Sequence, residues 1–458
     1  MIDLAIHGGI VVLPDLCCES DVAVDKGRIV ALGTATSMPK AHRTVDAPGC
    51  YVLPGAIDTH VHIHWPFLAA TTADDYEAAS IAAAIGGTTT IIDFAHPKMG
   101  ATPLLRVANR RGEAEGRAVI DYAFHCVLTD CSDRTLEDMT VLVADGVTSF
   151  KLYMAYRRRG IMVDDATMFT VMQKAASLGA TVCVHAENGV VADASEARFV
   201  AEGRLAATDF ALHKPNYVEA EAVDRAIFWA RRAGARLCIL HLSTADGLAA
   251  IRRARQQGAA VVAETCPQYL LLSEEVYCQP NGHRYICSPP IRSRADVNAL
   301  WEGLTEGSIS MVGTDHCAFT TAAKDVGRDD FTRVPNGLPG VETRLPLLFS
   351  EGVARRRITV NHLARITSLN PAQEFGLFPR KGILAPGSDA DIVLFDPVKK
   401  WTLSADSLHM ASDWSPYEGL EIQGAPTMTI SRGEVIVEQG EFVGSPGRGC
   451  FLQRLRAG

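Results

Sequence analysis

His60 and His62 stand two apart in Asp58-Thr59-His60-Val61-His62. On a β-strand that spacing puts both imidazoles on one face, and neutral imidazole is a good ligand for Zn2+. Two histidines near a strand end can equally line a polar pocket. Two more histidines close similar apolar runs: His185 ends TVCVH and His241 ends LCILH. One such histidine is ordinarily a hydrogen-bonded core residue, but two on adjacent strands, opposite another pair, favour a metal site. Asp315 follows MVGT in the same manner. An aspartate there can cap a helix; beside metal ions it can ligate and shuttle a proton, as hydrolysis of an amide requires. Lys151 is the odd member. Its neighbours Phe150, Leu152 and Met154 take the opposite face of a strand, and a bare ammonium buried there is costly. An ion pair or an exit to solvent would relieve it. So would carbamylation by CO2, which makes an anionic group able to bridge two cations.

These residues need elements that bring them together. Eight apolar segments read as strands: AIDTHVH, TTTIIDF, IDYAFHCVL, SFKLYMA, TVCVHA, RLCILHLS, AVVAETC and ISMVGTDH. Amphipathic stretches such as DATMFTVMQKAASLG and AEAVDRAIFWARRAG lie between several of them, the alternation of an α/β fold with a parallel sheet. Eight strand–helix units predict a (β/α)8 barrel, whose chemistry sits at the C-terminal ends of its strands; the residues above fall there. Asp58, on the face of the histidine pair, reads as a partner of a ligand rather than a ligand. Residues 1–52 read instead as short strands with glycine-marked turns, and that texture returns in GSDADIVLFD and TMTISRGEVIVEQG. The expected organisation is a barrel over 53–375 with a small β-sandwich domain formed by both termini, 1–52 and 376–458.

The composition is that of a globular protein, 47% hydrophobic and 21% charged over 458 residues. A net charge of −9 gives no basic footprint for nucleic acid or an anionic membrane. The N-terminal MIDLAIHGGIVV lacks the basic start and cleavage site of a signal peptide, and no apolar run is long enough to span a bilayer. Twelve cysteines are scattered without a paired CxxC framework, as expected of reduced thiols in the cytoplasm.

In order along the chain, PGAIDTHVH, GGTTTIIDF, SFKLYMAY, VHAENG, HLST, AETCPQYL, CSPPIR, GTDHC, GRDDFTRVPNG, KGILAPGSDADIVLFD and SPYEG resemble the cyclic amidohydrolase branch of the amidohydrolase superfamily, especially hydantoinases and dihydropyrimidinases. The resemblance runs almost end to end. It implies two Zn2+ ions per subunit, with Mn2+ or Co2+ as substitutes. His60, His62 and Asp315 would hold the more buried ion, His185 and His241 the second, and carboxylated Lys151 would bridge both. A hydroxide between the ions would attack the ring carbonyl and Asp315 would pass its proton to the leaving nitrogen, opening a hydantoin or dihydropyrimidine to an N-carbamoyl amino acid. Tyr156, otherwise read as rim packing, matches the tyrosine that donates to the oxyanion. Ser288 and Asn336, alone only turn signals, match positions that hold the cyclic amide. The resemblance also implies a homotetramer, with GEFVGSPGRGCFLQRLRAG as a tail reaching a neighbouring subunit; as an exposed terminus it could equally be disordered.

The choice of amide turns on the residues after His62. Among relatives of the family it resembles, dihydroorotases typically carry arginine two positions on to hold a substrate carboxylate, and allantoinases usually asparagine. Here it is His64, followed by Trp65, Pro66 and Phe67, and the loss of that arginine argues against dihydroorotate. Trp65 and Phe67 would suit an uncharged ring with a hydrophobic or aromatic substituent, or they pack the loop against its own barrel. The expected partner is a small cyclic amide. The alternatives are an allantoinase or cyclic-imide hydrolase with the same metals and, from another class, a non-catalytic interaction protein of this architecture, against which every ligand position is filled.

Overall fold

Eight parallel strands, Ala56–Val61, Thr88–Ala95, Asp121–Val127, Ser149–Tyr153, Thr181–His185, Arg236–Ile239, Val261–Thr265 and Met311–Val312, pair in sequence order in the computed structural model, which describes residues 1–34 and 38–456. The first and last strands meet just beyond their ends, where His62 N donates to the His316 carbonyl at 2.7 Å. The result is a nearly closed barrel. Seven of the helices around it begin on a residue whose side chain accepts from the first turn: Asp75, Thr102, Ser132, Asp164, Asn188, Thr244 and Ser293. Each cap satisfies an orphan N–H and starts the helix where the strand's loop ends. Gly179 and Gly307 stop two of these in the left-handed region.

Period-two alternation then sorts the side chains. On the strand Ser149–Tyr153, Phe150 and Leu152 join the large apolar layer between barrel and helices, while Tyr153 joins the barrel interior with Ile92, Phe94, Cys183 and Cys238. Lys151 shares that inward face, as the pattern requires.

Both termini build one mixed, mainly antiparallel sheet of nine strands. Tyr51–Pro54 joins its two halves, pairing with Ile2–Val12 on one side and Ile392–Thr402 on the other. Leu4, Val22 and Val52 from one end share an apolar core with Ile392, Leu394 and Ile430 from the other. The tail lies along its own barrel: Leu452 N donates to the Tyr122 carbonyl, Leu455 N to that of Gly376, and Arg454 is buried against Phe124. Backbone groups of residues 449–455 thus find partners on the third barrel strand and beside it.

Lys381 pins the terminal sheet to the barrel. Its buried ammonium donates to Asp121, at the start of the third barrel strand, at 2.7 Å, and to Asp391 at 2.6 Å, with Asp389 at 3.1 Å. Removing one partner of a buried ion cluster typically costs about 3–5 kcal/mol. Lys381→Met is accordingly expected to lower unfolding stability by about that amount in denaturant titration; a loss below about 1 kcal/mol would show that apolar packing alone holds the two parts together.

Candidate active site

Several site residues share one backbone feature. His241, Asp315 and Tyr156 have φ of 39°, 51° and 68°, the left-handed region that non-glycine residues seldom occupy. Each lies where a strand has just ended, so the chain turns sharply and its side chain is left in the barrel mouth. Strain of this kind costs on the order of 1–3 kcal/mol per residue and collects at functional sites.

One half of the site comes from the first and eighth strands. Ligand atoms of His60, His62 and Asp315 all lie within 4.8 Å of one another, with His60 Nε2 and His62 Nε2 at 3.0 and 3.1 Å from Asp315 Oδ1. Behind them His60 Nδ1 donates to buried Glu264 at 2.7 Å. Gly313 makes room for that carboxylate, since a Cβ there would fall 2.7 Å from Glu264 Oε2. Asp58 touches neither ring; it accepts from the backbone N–H groups of His60 and Thr314, at 3.2 and 3.1 Å, and so ties the ligand-bearing strands together. Burial works against charge on His60, but the Asp315 and Glu264 carboxylates outweigh it and raise the imidazole to about 9. Burial likewise opposes ionisation of Asp315, yet the two histidines hold its carboxyl well below the usual range.

The other half comes from the fourth, fifth and sixth strands. His185 Nδ1 and His241 Nε2 face each other at 2.9 Å. Burial keeps both imidazoles neutral, His185 down to about 4 and His241 well below its ordinary value. Lys151 is buried with its ammonium over the Phe94 and Tyr153 rings and, among the described residues, in no ion pair. Burial lowers its amine to about 8, which enlarges the neutral fraction that can react with CO2.

This donor set fits divalent cations. Two neutral imidazoles present ring nitrogens to each other, a second pair converges on one carboxylate, and an unpaired lysine lies between the halves. His, Asp and a carbamate are ligands of Zn2+ and its near relatives. His241 Nδ1 is buried without a partner, whereas most metal-binding histidines donate from their second nitrogen.

His60, His62, Lys151, His185, His241 and Asp315 line one cleft together with Tyr156, Ser288, Asn336, Trp65 and Phe67. Burial, followed by the nearby Glu187 carboxylate, keeps the Tyr156 phenol protonated, with the Ser288 hydroxyl beside it opposing the shift. His64 is not brought in: it is exposed, with φ 44°, and faces a neighbouring cavity. Residues missed in the sequence stand behind the cleft. Glu187, fully buried, accepts from His185 Nε2 at 2.7 Å and from Lys214 at 3.0 Å, and Lys214 also donates to Ser288 at 2.6 Å. His96 sits 2.9 Å from His62 Nδ1. Glu187 lay inside VHAENG, two residues from a candidate ligand, and that proximity was the available signal.

Comparison with known proteins bears on the same residues. Residues 51–436 match the profile of the Amidohydrolase family. The chain is 41% identical to a D-hydantoinase of Geobacillus stearothermophilus, over 100% of this chain and 98% of that protein. It superposes on the crystal structure of a dihydropyrimidinase from Brevibacillus agri NCHU1002 with a TM-score of 0.97 and 41% identity, covering 99% of each chain. An L-hydantoinase (dihydropyrimidinase) from Arthrobacter aurescens gives a TM-score of 0.91 at 31% identity, over 99% of this chain and 100% of that one.

Proposed function

The chain belongs to the Amidohydrolase family, and from that premise we propose that it hydrolyses the cyclic amide bond of hydantoins or dihydropyrimidines, opening the ring to an N-carbamoyl amino acid. The observation that carries the reading is the convergence of four histidines, Asp315 and Lys151 on one cleft walled by Tyr156, Ser288 and Asn336.

His60, His62 and Asp315 would hold one divalent ion, His185 and His241 a second, and Lys151, carboxylated, would join both. Bound there, two Zn2+ ions supply Lewis acidity and make water acidic near neutral pH; Mn2+ or Co2+ could take their place. The chain's own groups do the rest. Asp315, ionised because His60 and His62 flank it, takes the proton of the attacking water and delivers it to the leaving ring nitrogen. Tyr156, held protonated, donates to the oxygen of the carbonyl under attack. Ser288 and Asn336 hold the amide edge of the ring. Glu187 fixes the tautomer of His185 by accepting from its Nε2.

Tyr156→Phe is expected to lower kcat by about 10²–10³-fold, the usual cost of losing one oxyanion donor, with metal content unchanged by atomic absorption. Loss of metal in the variant would overturn the oxyanion role. The reaction itself is tested with purified protein reconstituted with zinc and bicarbonate, offered dihydrouracil, 5-phenylhydantoin, allantoin and succinimide. Preferred turnover of either of the first two supports the proposal; preference for allantoin or succinimide would keep the metal chemistry and overturn the substrate class.

The reading also places the enzyme in the cytoplasm as a homotetramer. Its support is twelve free cysteines, suited to a reducing compartment, and half-exposed Phe228 with exposed Tyr217 on the helix Asn216–Ala233, the sort of apolar surface that subunits cover. No helix among the described residues is long and apolar enough to cross a membrane. Light scattering on the purified protein tests the assembly state.

A further inference from the structure

A second cavity adjoins the cleft and shares Trp65 with it as a common wall. Lys98, Arg106, Arg110 and Arg159 line it against a single carboxylate, Glu113, among the described residues. Arg110 is already matched by Asp93 and Glu113. Arg106 donates to the backbone carbonyls of Ala101 and Val127 and, among the described residues, forms no ion pair, although Asp130 outside the cavity lining feels its charge. The cavity is therefore left with positive charge that nothing in its lining compensates.

Arg159 stands where this charge meets the cleft. It follows Tyr156 in the loop after the fourth strand, and its guanidinium lies over Phe67 at 3.8 Å and Trp65 at 4.9 Å from the ring centroids. Among the described residues it is in no ion pair, and its Nη1 is buried without a hydrogen-bond partner. On the other side of Trp65, His96 stacks at 4.1 Å and its Nδ1 is likewise buried and unpartnered. Unmatched buried polar atoms cost on the order of 1–3 kcal/mol each, and a guanidinium is built to meet a planar carboxylate. The apolar wall expected from Trp65 and Phe67 is thus capped by a cation whose charge reaches Tyr153, Tyr156 and Cys317 on the cleft itself.

Building on the ring-opening reaction above, we propose that this cavity receives a carboxylate carried on the ring carbon of the cyclic amide, and that Arg159 is the residue that selects it. Trp65 and Phe67 flank the short apolar stem between ring and acid. The substrate class is then an acidic side-chain hydantoin or dihydropyrimidine, and the product an N-carbamoyl derivative of an acidic amino acid.

The test compares kcat/KM of the reconstituted enzyme for hydantoin-5-acetate and its uncharged counterpart hydantoin-5-acetamide. The wild type should prefer the acid at least tenfold, and the preference should shrink as salt is raised. Arg159→Gln should lower the acid-to-amide ratio at least tenfold, and Arg159→Lys should recover part of it. Equal or better turnover of the amide by the wild type, or a ratio unmoved in Arg159→Gln, would overturn the proposal and leave Arg159 as packing over the aromatic wall. The wild-type preference and its salt dependence decide the matter even should Arg159→Gln fail to fold. Turnover of 5-phenylhydantoin without preference for the acid would sink this inference alone; no turnover of any hydantoin or of dihydrouracil would sink the ring-opening reading with it.

Discussion

Lys151→Ala should leave at most one metal ion per chain and lower kcat/KM by about 10³-fold, the upper end of what loss of one electrostatic element costs. The reasoning starts from burial. Lys151 is 1% exposed, with its ammonium over two aromatic rings and in no ion pair among the described residues, a position that a permanent cation would occupy at a cost. Burial lowers its amine to about 8, so close to neutral pH an appreciable fraction is free base, the form that adds CO2. A carbamate there would turn an unmatched cation into an anion facing four histidines. The variant protein should bind bicarbonate-dependent metal no better than it binds metal in CO2-free buffer, while the wild type should gain metal on adding bicarbonate. Wild-type turnover and two ions per chain in Lys151→Ala would sink the carbamate.

The second large effect is expected at Asp315. Asp315→Asn keeps the shape and one ligating oxygen but cannot carry a proton, so kcat should fall about 10²–10⁴-fold, the range for loss of general acid–base transfer. Metal affinity should weaken as well, because a carboxylate's charge is gone from beside His60 and His62. Measuring kcat at saturating zinc separates the two effects. A kcat within tenfold of wild type under those conditions would mean that another group moves the proton, and that Asp315 serves only to hold metal.

Much of this site was legible because strand periodicity is rigid. His60 and His62 at spacing two had to share a face, and Lys151 had to oppose Phe150 and Leu152. His185 and His241 ended runs of uninterrupted apolar residues, which marks them as strand C-terminal ends of a barrel. The groups behind these ligands were not legible in that way. Glu264 reaches His60 from a strand roughly two hundred positions away in sequence, and Lys214 reaches Glu187 and Ser288 from the turn between two helices. Neither follows from local spacing, because both depend on how strands and loops stack around the barrel. His64 lies exposed beside the neighbouring cavity: past His62 the chain has left the strand, and the period-two rule no longer says where a side chain points.

The sequence by itself therefore determined the class of fold and the candidate polar residues at the strand ends, which depend on residue type and short-range periodicity, and its resemblance to a known family supplied the ligand roles and the hydrolytic chemistry. Only the tertiary structure decided what surrounds them. It put a guanidinium over Trp65 and Phe67, turned the tail onto its own barrel, and set Glu187 and Glu264 behind the histidines. Those contacts join segments far apart in the chain, where closure of the barrel and burial, rather than local pattern, choose the neighbour.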